Sequence, residues 1–151
     1  MRRKDDLAMT ITQQERLDIL HEVSHSWLDL LRAIRPLSDA ELTKPNTVGQ
    51  WSGKDMMGHI TFWERYALDN IKAVEAGLEP DVIEDFEAAN LIAAKEMSSL
   101  SLAEVRARFE ATHDELMQAL ETTPLLTRDR IEGATFGHYA EHAADFRAIK
   151  R

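Results

Sequence analysis

Along most of this chain apolar residues return every third or fourth position, and each such run begins at a polar cap. Leu20, Val23, Trp27, Leu30, Leu31 and Ile34 keep this spacing until Pro36, which has no amide hydrogen to continue a helix. Met56, Ile60, Trp63, Ala67, Ile71 and Val74 repeat it until Gly77 and Pro80. Val105, Phe109, Leu116 and Leu120 form a third stripe, ending before Pro124, and a last helix runs from about Phe136 to the C-terminus. The segments "TQQE" (12–15), "SDAE" (38–41), "SGKD" (52–55) and "SLAE" (101–104) each place a hydroxyl three residues before a carboxylate. That is the box in which cap and carboxylate satisfy each other's orphan backbone donors.

Residues 84–98 read as a further helical segment, and no alternating run bounded by Asn-Gly or Asp-Gly turns predicts a strand. Four one-sided helices cannot bury their stripes alone, so the predicted fold is all-α: a four-helix bundle over residues 12–151 with longer inter-helix connections. The connections at 36–50 and 122–134 exceed tight bundle turns and are expected to fold over a bundle end. Residues 1–11 read as a disordered extension, basic at its start, without the apolar run of a signal peptide.

Composition narrows the chemistry. A net charge of −9 disfavours nucleic acid and anionic membrane as partners through long-range repulsion. No apolar run is long enough to span a bilayer, so a cytoplasmic location is expected. There is no cysteine, which removes disulfides, thiolate-held zinc and a cysteine nucleophile. Any metal must be held by His, Asp or Glu.

Six histidines include two pairs at i, i+4: His21/His25 and His138/His142. Spacing does not separate them, but facing does. At about 100° per residue, His21 and His25 lie roughly 130° and 170° from the centre of their helix's stripe, towards water. Thr135, Tyr139, Phe146 and Ile149 share an arc of about 80° on the last helix, and His138 and His142 lie within or beside it. His59 flanks the second stripe next to Trp63, and His113 lies near the edge of the third. His59, His138 and His142 can therefore meet from two facing helices around a divalent metal, with zinc, nickel and iron(II) all compatible with imidazole. The residues alone leave a second reading open, in which these are core histidines with ordinary hydrogen bonds. His113 is a candidate fourth ligand or a group behind the ligands.

The stretch "TVGQWSGKDMMGHITFWERYALDNI" (47–71), followed by "TFGHYAEHAADFRAI" (135–149), resembles the DinB/YfiT-like four-helix metalloproteins. Trp51, Ser52 and Asp55 match that family's helix opening, His59 its first ligand, and His138 and His142 its terminal pair. "LSDAELTKP" (37–45) is similar to the family's first connection. The resemblance covers residues 12–151. It implies a metal site of His59, His138 and His142, and for some relatives an activity on a low-molecular-weight thiol such as mycothiol, bacillithiol or glutathione. The mycothiol-dependent maleylpyruvate isomerases carry a further carboxy-terminal domain that has no counterpart here, so that substrate is not expected. A homodimer is also implied.

The expected function is thus a metal-dependent transferase, isomerase or hydrolase acting on a small molecule. Asp145, one turn after His142, is the candidate catalytic carboxylate. Trp51, Trp63 and Tyr139 are expected to line the pocket. Glu64 reads equally as a ligand-orienting carboxylate or a solvated surface residue. The alternatives are a small-molecule binding or sequestration protein, and a stress-associated interaction protein using a surface with Met56, Met57 and Met117.

Overall fold

Each of the four capping boxes closes. Thr12, Ser38, Ser52 and Ser101 accept a hydrogen bond from the backbone N–H three residues on, and the carboxylates of Glu15, Glu41, Asp55 and Glu104 return it. A side-chain cap of this kind contributes about 1 kcal/mol to its helix. The structure, a computed structural model, describes residues 11–149. Of the extension expected at 1–11, all but Ile11 lies outside the described residues. The helices are α1 (Gln13–Ile34), α2 (Asp39–Thr43), α3 (Gly53–Glu75), α4 (Phe86–Met97), α5 (Leu102–Thr122), α6 (Arg128–Ile131) and α7 (Phe136–Arg147), with a 3-10 turn at Glu132–Ala134 before α7. Among the described residues no strand forms; Val48 and Trp51 make an isolated bridge. The chain is all-α, and α1, α3, α5 and α7 make the bundle.

Two helix pairs carry most of the packing: α1 lies on α7, and α3 lies on α5. Contact between the pairs is much thinner. The α5 helix runs alongside α3 in the same direction. Lys54 reaches the Leu100 carbonyl at one end (2.6 Å), and Arg65 meets Glu115 further along (3.0 Å). A parallel pair needs a crossover connection, and α4 supplies it. Its one buried residue is Ala93, while Phe86, Leu91 and Ile92 stay at least 60% exposed. It lies as a cover on α3 rather than as a core helix.

Three of the four stripes read from the sequence face the core. Ile19 and Ala33 join Val23, Trp27, Leu30 and Ile34 on α1, while Val105, Phe109, Leu116 and Leu120 are buried on α5. On α7, Tyr139, His142, Ala143 and Phe146 are buried together. On α3 the register differs. Met57, Ile60, Glu64, Leu68 and Ile71 form the buried face, while Trp63, Ala67 and Val74 are only half-buried on its flank. The reason is the second neighbour of α3: one side meets α5, and the other meets α4 and a cavity. Met56 and Met57, expected to contribute an interaction surface, are 4% and 1% exposed and belong to the core.

The long connections sit over a bundle end. In the first, Gly49 takes φ +62, a left-handed conformation that a glycine adopts without steric cost. This lets Val48 and Trp51 exchange backbone hydrogen bonds of 2.9 Å around a tight turn. A Cβ on Gly53 would meet Leu42 Cδ2 at 2.8 Å and the Leu42 carbonyl oxygen at 3.3 Å, so α2 packs closely on the first residue of α3.

Candidate metal centre

The turn at Val48–Trp51 and the Ser52–Asp55 box fix the start of α3, and His59 stands one turn beyond Asp55. The turn also brings the Trp51 ring to 5.1 Å from the His59 ring. On α7, His138 and His142 lie one turn apart with ring centroids at 4.4 Å and planes at 77°. The His59 ring is 4.8 Å from His138 and 5.0 Å from His142. A ligand nitrogen from each of the three lies within 4.8 Å of the other two.

His59 Nε2 and His138 Nε2 are 3.0 Å apart. Two imidazole nitrogens on one tetrahedral zinc, each bonded at 2.0–2.1 Å, stand about 3.3 Å apart. The first pair is therefore spaced as ligands of one ion, and a ligand nitrogen of His142 lies within 4.8 Å of both. Burial holds the His138 imidazole down to about 3 and His59 down to about 4, each helped by the proximity of His142. Both are neutral at pH 7, and a neutral ring is the form that ligates a metal. The site can hold a divalent metal.

The histidines are supported unequally from behind. His142 Nδ1 is 2.8 Å from Asp145 Oδ2, an arrangement that directs its Nε2 inward. For His59, an interaction with the Asn90 side chain opposes the fall in its pKa. Asn90 is itself fixed by the Trp63 Nε1 hydrogen bond at 2.8 Å. His138 Nδ1 is buried without a hydrogen-bond partner among the described residues.

The three rings border a cavity of about 1090 Å³. Trp51, Trp63, Tyr66 and Phe86 give it an aromatic wall, continued by Ala67, Ile71 and Val74. Trp63 meets Tyr66 and Phe86 edge-on at 5.3 and 5.5 Å, so the wall is built of mutually supporting rings. Asp129, Arg130 and Glu141 also line the cavity.

Trp51 and Trp63 line the cavity. Tyr139 does not: its side chain is fully buried, and its hydroxyl donates to Glu64 Oε2 at 2.7 Å beneath the site. Asp145 stands behind His142, its Oδ2 2.8 Å from the ring's Nδ1, and is not among the residues that line the cavity. Glu64 is fully buried and faces the core, neither solvated nor turned to a ligand. His113 is 5% exposed and reaches Glu64 Oε2 through Nδ1 at 2.8 Å, away from the three convergent histidines. One of these positions was accessible to pattern: Glu64 follows Ile60 by four and Met57 by seven, in register with the buried face. The Asn90–Trp63 link had no local signal.

The bundle gathers three imidazoles from two facing helices at the edge of a cavity, an arrangement that could hold a metal ion. The DinB superfamily matches this sequence over residues 22–147, and the chain belongs to that superfamily. No curated protein and no solved structure matches it.

Proposed function

We propose that His59, His138 and His142 hold one zinc, nickel or iron(II) ion, and that the protein transforms a small molecule drawn into the adjoining cavity. The convergence of three imidazoles at the edge of a largely apolar cavity is the observation that carries this reading. When bound, such a metal supplies Lewis acidity that favours the deprotonated form of a water or a thiol at neutral pH. That chemistry supplies a nucleophile to a chain without cysteine, and it suits a low-molecular-weight thiol as co-substrate. Transfer, isomerisation and hydrolysis are all within its scope.

The chain's own residues bind, orient and exclude water. Asp145 keeps the His142 ring turned inward. Trp51 covers His59, and the Trp63–Tyr66–Phe86 wall takes the apolar body of the small molecule. The extent of that wall also supports a second reading, in which the cavity sequesters its ligand without turnover.

Elemental mass spectrometry of untagged protein tests the first reading. About one ion per chain is expected in wild type and almost none in His59→Ala. Absence of metal after reconstitution with zinc, nickel and iron(II) in turn overturns it. Ligand retention by metal-free protein at full affinity supports sequestration.

A further inference from the structure

The two helix pairs of this bundle touch lightly, yet the three histidines are divided between them: His59 on α3, His138 and His142 on α7. Something must set α7 against α3. The cap of α7 does not, because Thr135 makes no side-chain capping hydrogen bond, unlike the residues before α1, α3 and α5. Among the described residues, two hydrogen bonds join α3 to α7. One is the contact between the His59 and His138 rings; the other is Tyr139 Oη donating to Glu64 Oε2.

The second bond belongs to a sealed cluster. Glu64 Oε2 also lies 2.8 Å from His113 Nδ1, and the His113 ring stacks on Trp27 with centroids at 3.6 Å and planes at 4°. Glu64 and Tyr139 are 0% exposed, His113 5% and Trp27 8%. One side chain from each of α1, α3, α5 and α7 thus meets at a single point. A carboxylate and an imidazole in an apolar core cost more to bury than hydrocarbon of the same shape, and Glu64 Oε1 has no hydrogen-bond partner among the described residues. The best-attested return on such a cost is a unique register between packed helices.

Register is what His138 lacks from any other source. His142 is oriented by Asp145, and His59 has Asn90 beside it, but the second nitrogen of His138 has no hydrogen-bond partner among the described residues. Its ring direction has to come from the backbone of α7, and Tyr139 is the next residue. We infer that Glu64, His113 and Tyr139 are positioning residues that lock α7 against α3 and so aim His138 at His59.

Zinc affinity by chelator competition and ring-to-ring magnetisation transfer between His59 and His138 in the zinc-free protein test this on the full chain. Tyr139→Phe removes the donor and keeps the ring. It should weaken zinc binding tenfold to a hundredfold, the loss usual for groups that orient ligands, and lose the His59–His138 cross-peak. Glu64→Gln still presents an acceptor oxygen to Tyr139 and should keep most of the affinity, whereas Glu64→Leu should not. Leu120→Ala, in the core at the far end of α5, should lower the unfolding temperature and leave both readouts alone. Wild-type affinity and an intact cross-peak in Tyr139→Phe would overturn the inference. If Tyr139→Phe does not fold, Glu64→Leu measured against Glu64→Gln decides in its place. The zinc readout presupposes the metal site proposed above and the cross-peak does not. A wild type that binds no zinc therefore sinks the metal reading alone.

Discussion

His21/His25 and His138/His142 are the same motif in one chain, and they have opposite fates. Both pairs stand one helical turn apart. On α1 both rings are exposed and lie roughly parallel, 6.3 Å apart with planes at 21°. On α7 both are buried, 4.4 Å apart at 77°, and a third ring from α3 closes the group. The interval between two histidines says only that they share a helix face. What they can do depends on whether that face meets another helix that brings a third donor. Burial then completes the difference, since it keeps His138 neutral and ready to ligate.

The sharpest way to break this comparison is thermal. An ion that binds only the folded state adds about 2.7 kcal/mol at a hundredfold excess over its Kd. For a domain of this size that corresponds to a rise of roughly 5–10 °C in Tm. Zinc should produce that rise in wild type and in His25→Ala, and none in His142→Ala. A rise in His142→Ala equal to wild type would mean that the ion binds elsewhere. The next effect in size concerns Asp145. Asp145→Asn keeps the shape but weakens the grip on the His142 ring, and zinc affinity measured by competition should fall about tenfold. An unchanged affinity would leave Asp145 as a surface carboxylate that happens to touch a histidine.

Much of this was legible before any coordinates. The four capping boxes named the helix starts, because a hydroxyl and a carboxylate at that spacing satisfy each other wherever a helix begins. The inward face of α7 followed from Tyr139, Phe146 and Ile149, so the histidine pair was legible as buried. The register of α3 was not. Beside Ile60 and Ile71, Trp63, Ala67 and Val74 fit a helical stripe as well as Met57, Glu64 and Leu68 do, and apolar weight favoured the first set. The carboxylate of Glu64 counted against the true face because its partners, His113 and Tyr139, come from 49 and 75 residues away. Asp145 was read as a base on position alone, and only the direction of its Oδ2 shows that it serves a ring.

Acid should separate the two pairs more gently. The His59 and His138 imidazoles are held below their ordinary 6.5, at about 4 and about 3, chiefly by burial. Between about pH 6.5 and those values the unfolded chain binds protons that the folded chain does not, so folding stability of the metal-free protein falls as pH falls. Stability from these two groups is fully present above pH 6.5 and is lost progressively towards pH 3. Urea unfolding at pH 7 and pH 4.5 should show the loss in wild type, and a smaller one in His138→Gln. An equal loss in both proteins would assign the acid sensitivity to other groups.

The smallest effect is the most discriminating for the comparison itself. His21→Ala/His25→Ala alters two exposed positions in the middle of a 22-residue helix. Exposed substitutions away from caps and networks usually change stability by no more than about 0.5 kcal/mol. Alanine is also the better helix former, so the change should be neutral or slightly favourable. Zinc stoichiometry and affinity should match wild type, because neither ring belongs to the group formed by His59, His138 and His142. A measurable drop in affinity would show that α1 shapes the site through its packing on α7. Equality would leave facing and the third donor as the whole difference between two identical motifs.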